Sequence, residues 1–197
     1  RALLTSTDAS SRAGADDRND EIYLQCVTAL YNMAQGSGKT DEKLVEDGAV
    51  PLLESLLETT DPTILELACV ALYNISTVEE CDVQMVEDQV ASCLMKVLLR
   101  FTPPLDAEGF EPDQTPMLLL VLGIFYDLTR KPENESALEA AGLAKACSRL
   151  VSSKGVPREV LGLCSKIIYN MSWGPQNHDR TVVEEGGLSA LSALNEG

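Results

Sequence analysis

Four stretches of this chain are versions of one another. They read Cys26-Val-Thr-Ala-Leu-Tyr-Asn-Met, Ala68-Cys-Val-Ala-Leu-Tyr-Asn-Ile-Ser, Gly123-Ile-Phe-Tyr-Asp-Leu-Thr and Ile167-Ile-Tyr-Asn-Met-Ser. Aligned on the residue after the tyrosine, the marks fall at Asn32, Asn74, Asp127 and Asn170, with gaps of 42, 53 and 43 residues. A second marker travels with the first: Val45-Glu-Asp-Gly, Val86-Glu-Asp-Gln, Leu138-Glu-Ala-Ala-Gly and Val183-Glu-Glu-Gly. Both markers stretch at one place, between Val90 and Asp127, which points to an insertion in one unit. A fixed period of this length means stacked units, each too small to bury its own apolar face.

Apolar spacing makes the units helical. Ile64, Leu67, Ala68, Ala71, Leu72 and Ile75 form a stripe at helical spacing behind Asp61-Pro62, a capping residue followed by a first-turn proline. The expected organisation is a linker or frayed helix over 1–19 and the last helix of a partial unit over 20–39. Units then follow over 40–81, 82–131 (with an insertion at 103–114) and 132–176, and a truncated unit covers 177–197. Gly48 is a natural left-handed corner between the first two helices of its unit. Gln89 stands at the equivalent place, where a blunter corner or a different backbone conformation is expected. The first residue is Arg1 and no signal segment opens the chain, so a piece of a longer protein is expected.

Charge and composition remove several classes of function. A formal charge of −16 and a pI near 4.3 disfavour nucleic acid and anionic membranes, and favour a basic protein segment. No run of about 18 apolar residues offers a membrane span. Six cysteines occur without a C-x-x-C pair and with one histidine, His178. No metal site, no cofactor and no nucleophile–base arrangement is expected. Cys26, Cys69 and Cys164 precede their markers on apolar faces and are expected to be small core residues, in keeping with a reducing, cytoplasmic location. Gly36-Ser-Gly-Lys-Thr is not a phosphate loop, because Met33 stands where that motif needs its first glycine. The three Asn-x-Ser sequences at Asn74, Asn134 and Asn170 are read as structural rather than as glycosylation sites.

Val45-Glu-Asp-Gly-Ala-Val-Pro-Leu-Leu followed by a proline-started helix ending Ala-Leu-Tyr-Asn-Ile-Ser resembles the armadillo repeat. The resemblance covers residues 20 to 197 and is strongest from 41 to 77. It implies an all-α fold, a right-handed alpha-alpha superhelix of three-helix units whose third helices line a concave groove. In that family the recurring asparagine commonly binds the backbone of an extended peptide. An asparagine amide can do so because it offers a donor and an acceptor together. The groove set this implies is Asn32, Asn74, Asp127 and Asn170, with Thr28, Val70, Lys166 and Glu66 beside them. Import receptors carry a tryptophan one turn before each asparagine, and here those places hold Thr28, Val70, Gly123 and Lys166. Asp127 lacks the amide donor. Tyr31, Tyr73, Tyr126 and Tyr169 are expected to pack between neighbouring units, and the asparagines have an alternative role as braces on the next helix. Leu105 and Phe110 in the insertion are possible contact residues.

The function expected is a non-catalytic scaffold that holds an extended or basic protein segment, or the neighbouring helices of an assembly, and no small-molecule substrate. Alternatives are the substrate-recruiting segment of a ubiquitin-ligase-type enzyme, an import adaptor, or a structural subunit of a cytoskeletal or ciliary complex.

Overall fold

The computed structural model describes residues 7–36, 38–87, 89–104, 110 and 112–172. Among them there is no strand, and the chain runs through ten α-helices: α1 (Thr7–Ala34), α2 (Gly38–Glu46), α3 (Ala49–Leu56), α4 (Pro62–Ser76), α5 (Asp82–Glu87), α6 (Val90–Phe101), α7 (Thr115–Leu128), α8 (Glu135–Ala140), α9 (Leu143–Val151) and α10 (Arg158–Ser172). The helices form three-member units, α2–α4, α5–α7 and α8–α10, with α1 in the place of a third helix. Each third helix packs on the next, α1 on α4, α4 on α7 and α7 on α10. Each second helix lies on its own third helix, α3 on α4, α6 on α7 and α9 on α10. The product is an all-α solenoid with one continuous core from Val27 to Met171.

Local chemistry starts and stops these helices. Asp61 Oδ1 accepts from the N–H groups of Thr63 at 2.8 Å and Ile64 at 3.1 Å, so α4 begins with two of its orphan donors satisfied and Pro62 in its first turn. The corner between first and second helices is left-handed in all three units: Gly48 has φ 85°, Gly142 φ 82° and Gln89 φ 63°. The glutamine therefore does not blunt its corner. It takes up the glycine conformation, because the packing of α5 and α6 on α7 demands the same turn. A side chain in that region costs roughly 1 kcal/mol. Gln89→Gly is expected to stabilise the fold by about 0.5–1 kcal/mol, read as a higher urea midpoint with an unchanged slope.

Three segments are placed differently from a linear reading of the chain. The stretch 1–19, read as linker or frayed helix, is helical from Thr7 onward as part of α1. Cys26 is exposed, whereas the other five cysteines are buried. It occupies a core position of a third helix, but among the described residues no second helix covers it. In the insertion, Phe110 is half-buried against the core and Pro103 is buried, and a 3-10 turn at Pro112–Gln114 leads into α7. Leu105 lies outside the described residues, as do Trp173 and the unit expected at 177–197.

Candidate binding groove

Because the third helices stack in sequence, equivalent positions on them fall into rows. One row is aromatic, and its geometry is specific. A Cβ placed on Gly123 would come 2.9 Å from Cε2 of Tyr73, a separation real Cβ atoms do not show. The ring of Tyr73 on α4 therefore lies against bare backbone of α7. One unit further on, the Nζ of Lys166 on α10 sits 5.6 Å from the ring centroid of Tyr126 on α7, a cation–π contact. Both contacts join a tyrosine to the place one turn before the next marker residue. The gap left by the missing tryptophans is covered by the tyrosine of the preceding unit. This is the inter-unit packing expected of these tyrosines.

The marker residues do not all face the same task. Asn170 donates from Nδ2 to Oγ1 of Thr129 at 3.0 Å, bracing α10 against the end of α7. Asp127 is buried, and its Oδ2 lies 3.4 Å from the hydroxyl of Ser76 at the end of α4. Burial pushes the Asp127 carboxyl upward, while Arg130, 3.8 Å away, and the Ser76 hydroxyl pull it down. Ser76 and Thr129 stand two residues after Asn74 and Asp127, so one rule covers both joints: the hydroxyl at this position meets the marker of the next unit. The equivalent residue on α1 is Ala34, which has no hydroxyl to offer Asn74. Asn74 is half-buried and Asn32 exposed. A sequence reading that follows the markers alone misses this relation, although Ala34, Ser76 and Thr129 were there to be compared.

Between α4, α7 and α10 opens a hollow of about 500 Å³, lined by Tyr73, Pro116, Leu119, Leu120, Tyr126 and Leu163, with Gly123 at its floor and Asp127 at one side. Its walls are mostly hydrocarbon and aromatic ring. Charge is sparse along this face: Glu66 is exposed one turn before Val70, and Lys166 is drawn over Tyr126. Thr28, half-buried, donates its hydroxyl back to the Leu24 carbonyl at 2.6 Å. The large net negative charge of the chain is therefore carried mainly elsewhere.

A family model described as Armadillo/beta-catenin-like repeat matches residues 42–77, the unit α2–α4. That unit is similar to an armadillo repeat. The solenoid is similar to importin subunit alpha-6 of Arabidopsis thaliana, with 25% identity over 173 residues, which is 87% of this chain and 30% of that protein. The chain thus spans less than a third of the length of this curated relative. Among solved structures, a computationally designed armadillo repeat protein for modular peptide recognition superposes with a TM-score of 0.74 at 23% identity, over 90% of this chain and 70% of the other. A designed armadillo repeat protein in complex with the peptide (KR)4 gives 0.71 at 21% identity, over 98% of this chain and 72% of the other. These likenesses establish the armadillo fold. Among the described residues, no helix is long and apolar enough to cross a membrane.

Proposed function

We propose that this armadillo solenoid is a non-catalytic protein-binding module that holds an extended segment of a partner polypeptide across α4, α7 and α10. The hollow over Gly123 carries the reading. It has room for one large apolar side chain between Tyr73, Leu120 and Tyr126, and the residue after Tyr73 on α4 is Asn74, the marker amide whose preceding unit supplies no hydroxyl brace. An apolar anchor in a desolvated pocket beside an amide that pairs with peptide backbone is an economical way to hold an extended chain in register. The sparse charge of this face favours a partner segment with a leucine or aromatic anchor over a run of basic residues, and the acidic remainder of the surface contributes long-range steering. Free buried thiols suit a reducing compartment.

Fluorescent decapeptides test this by anisotropy, one set bearing a single leucine or phenylalanine in a serine–lysine background and the other being (KR)4. The anchored set is expected to bind more tightly. Leu120→Glu and Asn74→Ala should each weaken it by roughly five- to tenfold, matching about 1 kcal/mol for a lost contact. Asn170→Ala, whose amide is spent on Thr129, should leave affinity within about twofold and lower stability by about 1 kcal/mol instead. Tighter binding of (KR)4, or equal losses from Asn74→Ala and Asn170→Ala, would refute the proposal.

A further inference from the structure

The hollow over Gly123 is not wholly hydrocarbon, because Asp127 forms one side of it and is only 9% exposed. Its carboxylate is poorly partnered. The Ser76 hydroxyl has one hydrogen to divide between the Tyr73 carbonyl at 2.9 Å and Asp127 Oδ2 at 3.4 Å. Oδ1 has the Nη1 of Arg130 at 3.8 Å, beyond hydrogen-bond length. Solvent still reaches the side chain, of which 13% is open. An anchor seated in the hollow takes that solvent away from its walls. A leucine or phenylalanine brings no donor in return, so it fills the space but leaves a buried charge with an unfilled acceptor.

Several side chains carry a donor, and the surroundings choose among them. A lysine or arginine would add a cation beside Arg130 and beside Lys166, whose Nζ already lies over the Tyr126 ring. Like charges that close repel. A serine or threonine is too short to fill about 500 Å³. What fits is a flat apolar ring with a neutral donor on its edge. We infer, on the basis of the groove proposed above, that the hollow is a tryptophan pocket whose indole N–H donates to the Asp127 carboxylate. The indole N–H is a donor only, so no lone pair of the ligand faces the carboxylate. A hydrogen bond to an ionised acceptor away from water is among the stronger kinds. The rest of the ring packs on Tyr73 and Tyr126, as aromatic side chains prefer. Gly123 keeps that wall in place, since a Cβ there would meet Cε2 of Tyr73 at 2.9 Å and push the ring aside. The partner segment is therefore one with a single tryptophan at its anchor position.

The test uses the 197-residue chain and fluorescent decapeptides in the serine–lysine background, read by anisotropy. The anchor position carries tryptophan, benzothienylalanine, leucine, phenylalanine or arginine. Benzothienylalanine has the shape of tryptophan with sulfur in place of the N–H, so this pair isolates the hydrogen bond without altering the protein. Tryptophan is expected to bind at least tenfold more tightly than benzothienylalanine and than arginine. Asp127→Leu should bring tryptophan and benzothienylalanine within about twofold of each other, because one loses its acceptor and the other no longer covers a charge. The tryptophan pocket is overturned if the native chain binds these two peptides within twofold, or if arginine binds more tightly than tryptophan. It is also overturned if a folded Asp127→Leu variant keeps the tenfold preference. Should leucine and phenylalanine peptides bind while tryptophan has no advantage over benzothienylalanine, the apolar groove stands and only the tryptophan pocket falls. Should no anchored peptide bind, both fall.

Discussion

Asp82→Asn is expected to stabilise this solenoid strongly at pH 8 and much less at pH 5. Aligned on Val45, Val86 and Leu138, the residue four places earlier in each unit is Asp41, Asp82 and Asn134, and all three are buried. Asn134 shows what the position requires. Its Nδ2 donates to two backbone carbonyls of the preceding unit, Leu128 O at 3.1 Å and Asp82 O at 3.2 Å. A site built for a donor receives an ionised carboxylate badly, and neither carboxylate oxygen of Asp82 has a hydrogen-bond partner. Burial raises the Asp82 carboxyl to about 7, and Asp127 and Glu79 push the same way while Arg130 and Lys131 oppose them.

The folded pKa lies above the unfolded one, so the folded chain holds this proton more tightly. The stabilisation is complete below about pH 4 and is lost as pH rises through about 7. The loss is on the order of 2–4 kcal/mol, a sizeable part of a typical margin of about 5–15 kcal/mol. An amide is neutral throughout and carries the donor. Urea titrations at pH 5 and pH 8 should therefore show the native chain weakening between the two, and Asp82→Asn holding nearly constant. A native chain equally stable at both values, or a variant weaker at pH 8, would show that Asp82 is solvated or paired after all.

The converse substitution has the opposite sign. Asn134→Asp places a carboxylate against the carbonyls of Leu128 and Asp82 and is expected to cost about 3 kcal/mol at pH 8 and clearly less at pH 5, where the proton returns. Asn134→Ala removes both amide bonds without adding charge, so it should cost about 2 kcal/mol at either pH. Circular dichroism melts at the two pH values separate the variants. If Asn134→Asp loses the same amount at both, the proposed clash with the carbonyls is wrong. The burial of Asn134, 1% exposed, also accounts for its Asn-x-Ser sequence as structure.

Much of the architecture was legible along the chain. Asp61 and Pro62 announce α4 because caps act on N–H groups two and three residues away, and the insertion betrayed itself by stretching two markers together. Val90–Phe101 was readable as a helix because its apolar spacing is local. Gln89 was harder. Its own preferences argue against a left-handed corner, and the packing of its unit overrides them. Cys26 was misjudged for a different reason: its pattern is that of a core residue, but a stripe is buried only when something lies on it.

The period and the helices of each unit were thus legible in the sequence alone, since both rest on residues within a few turns of helix. Which markers are engaged was decided only by the tertiary structure. Asn170 is held by Thr129 and Asp127 by Ser76, residues 41 and 51 places away, while Ala34 offers Asn74 nothing. A side chain's freedom to meet a partner depends on the neighbour that stacking brings to it, and stacking is a property of the folded row of helices.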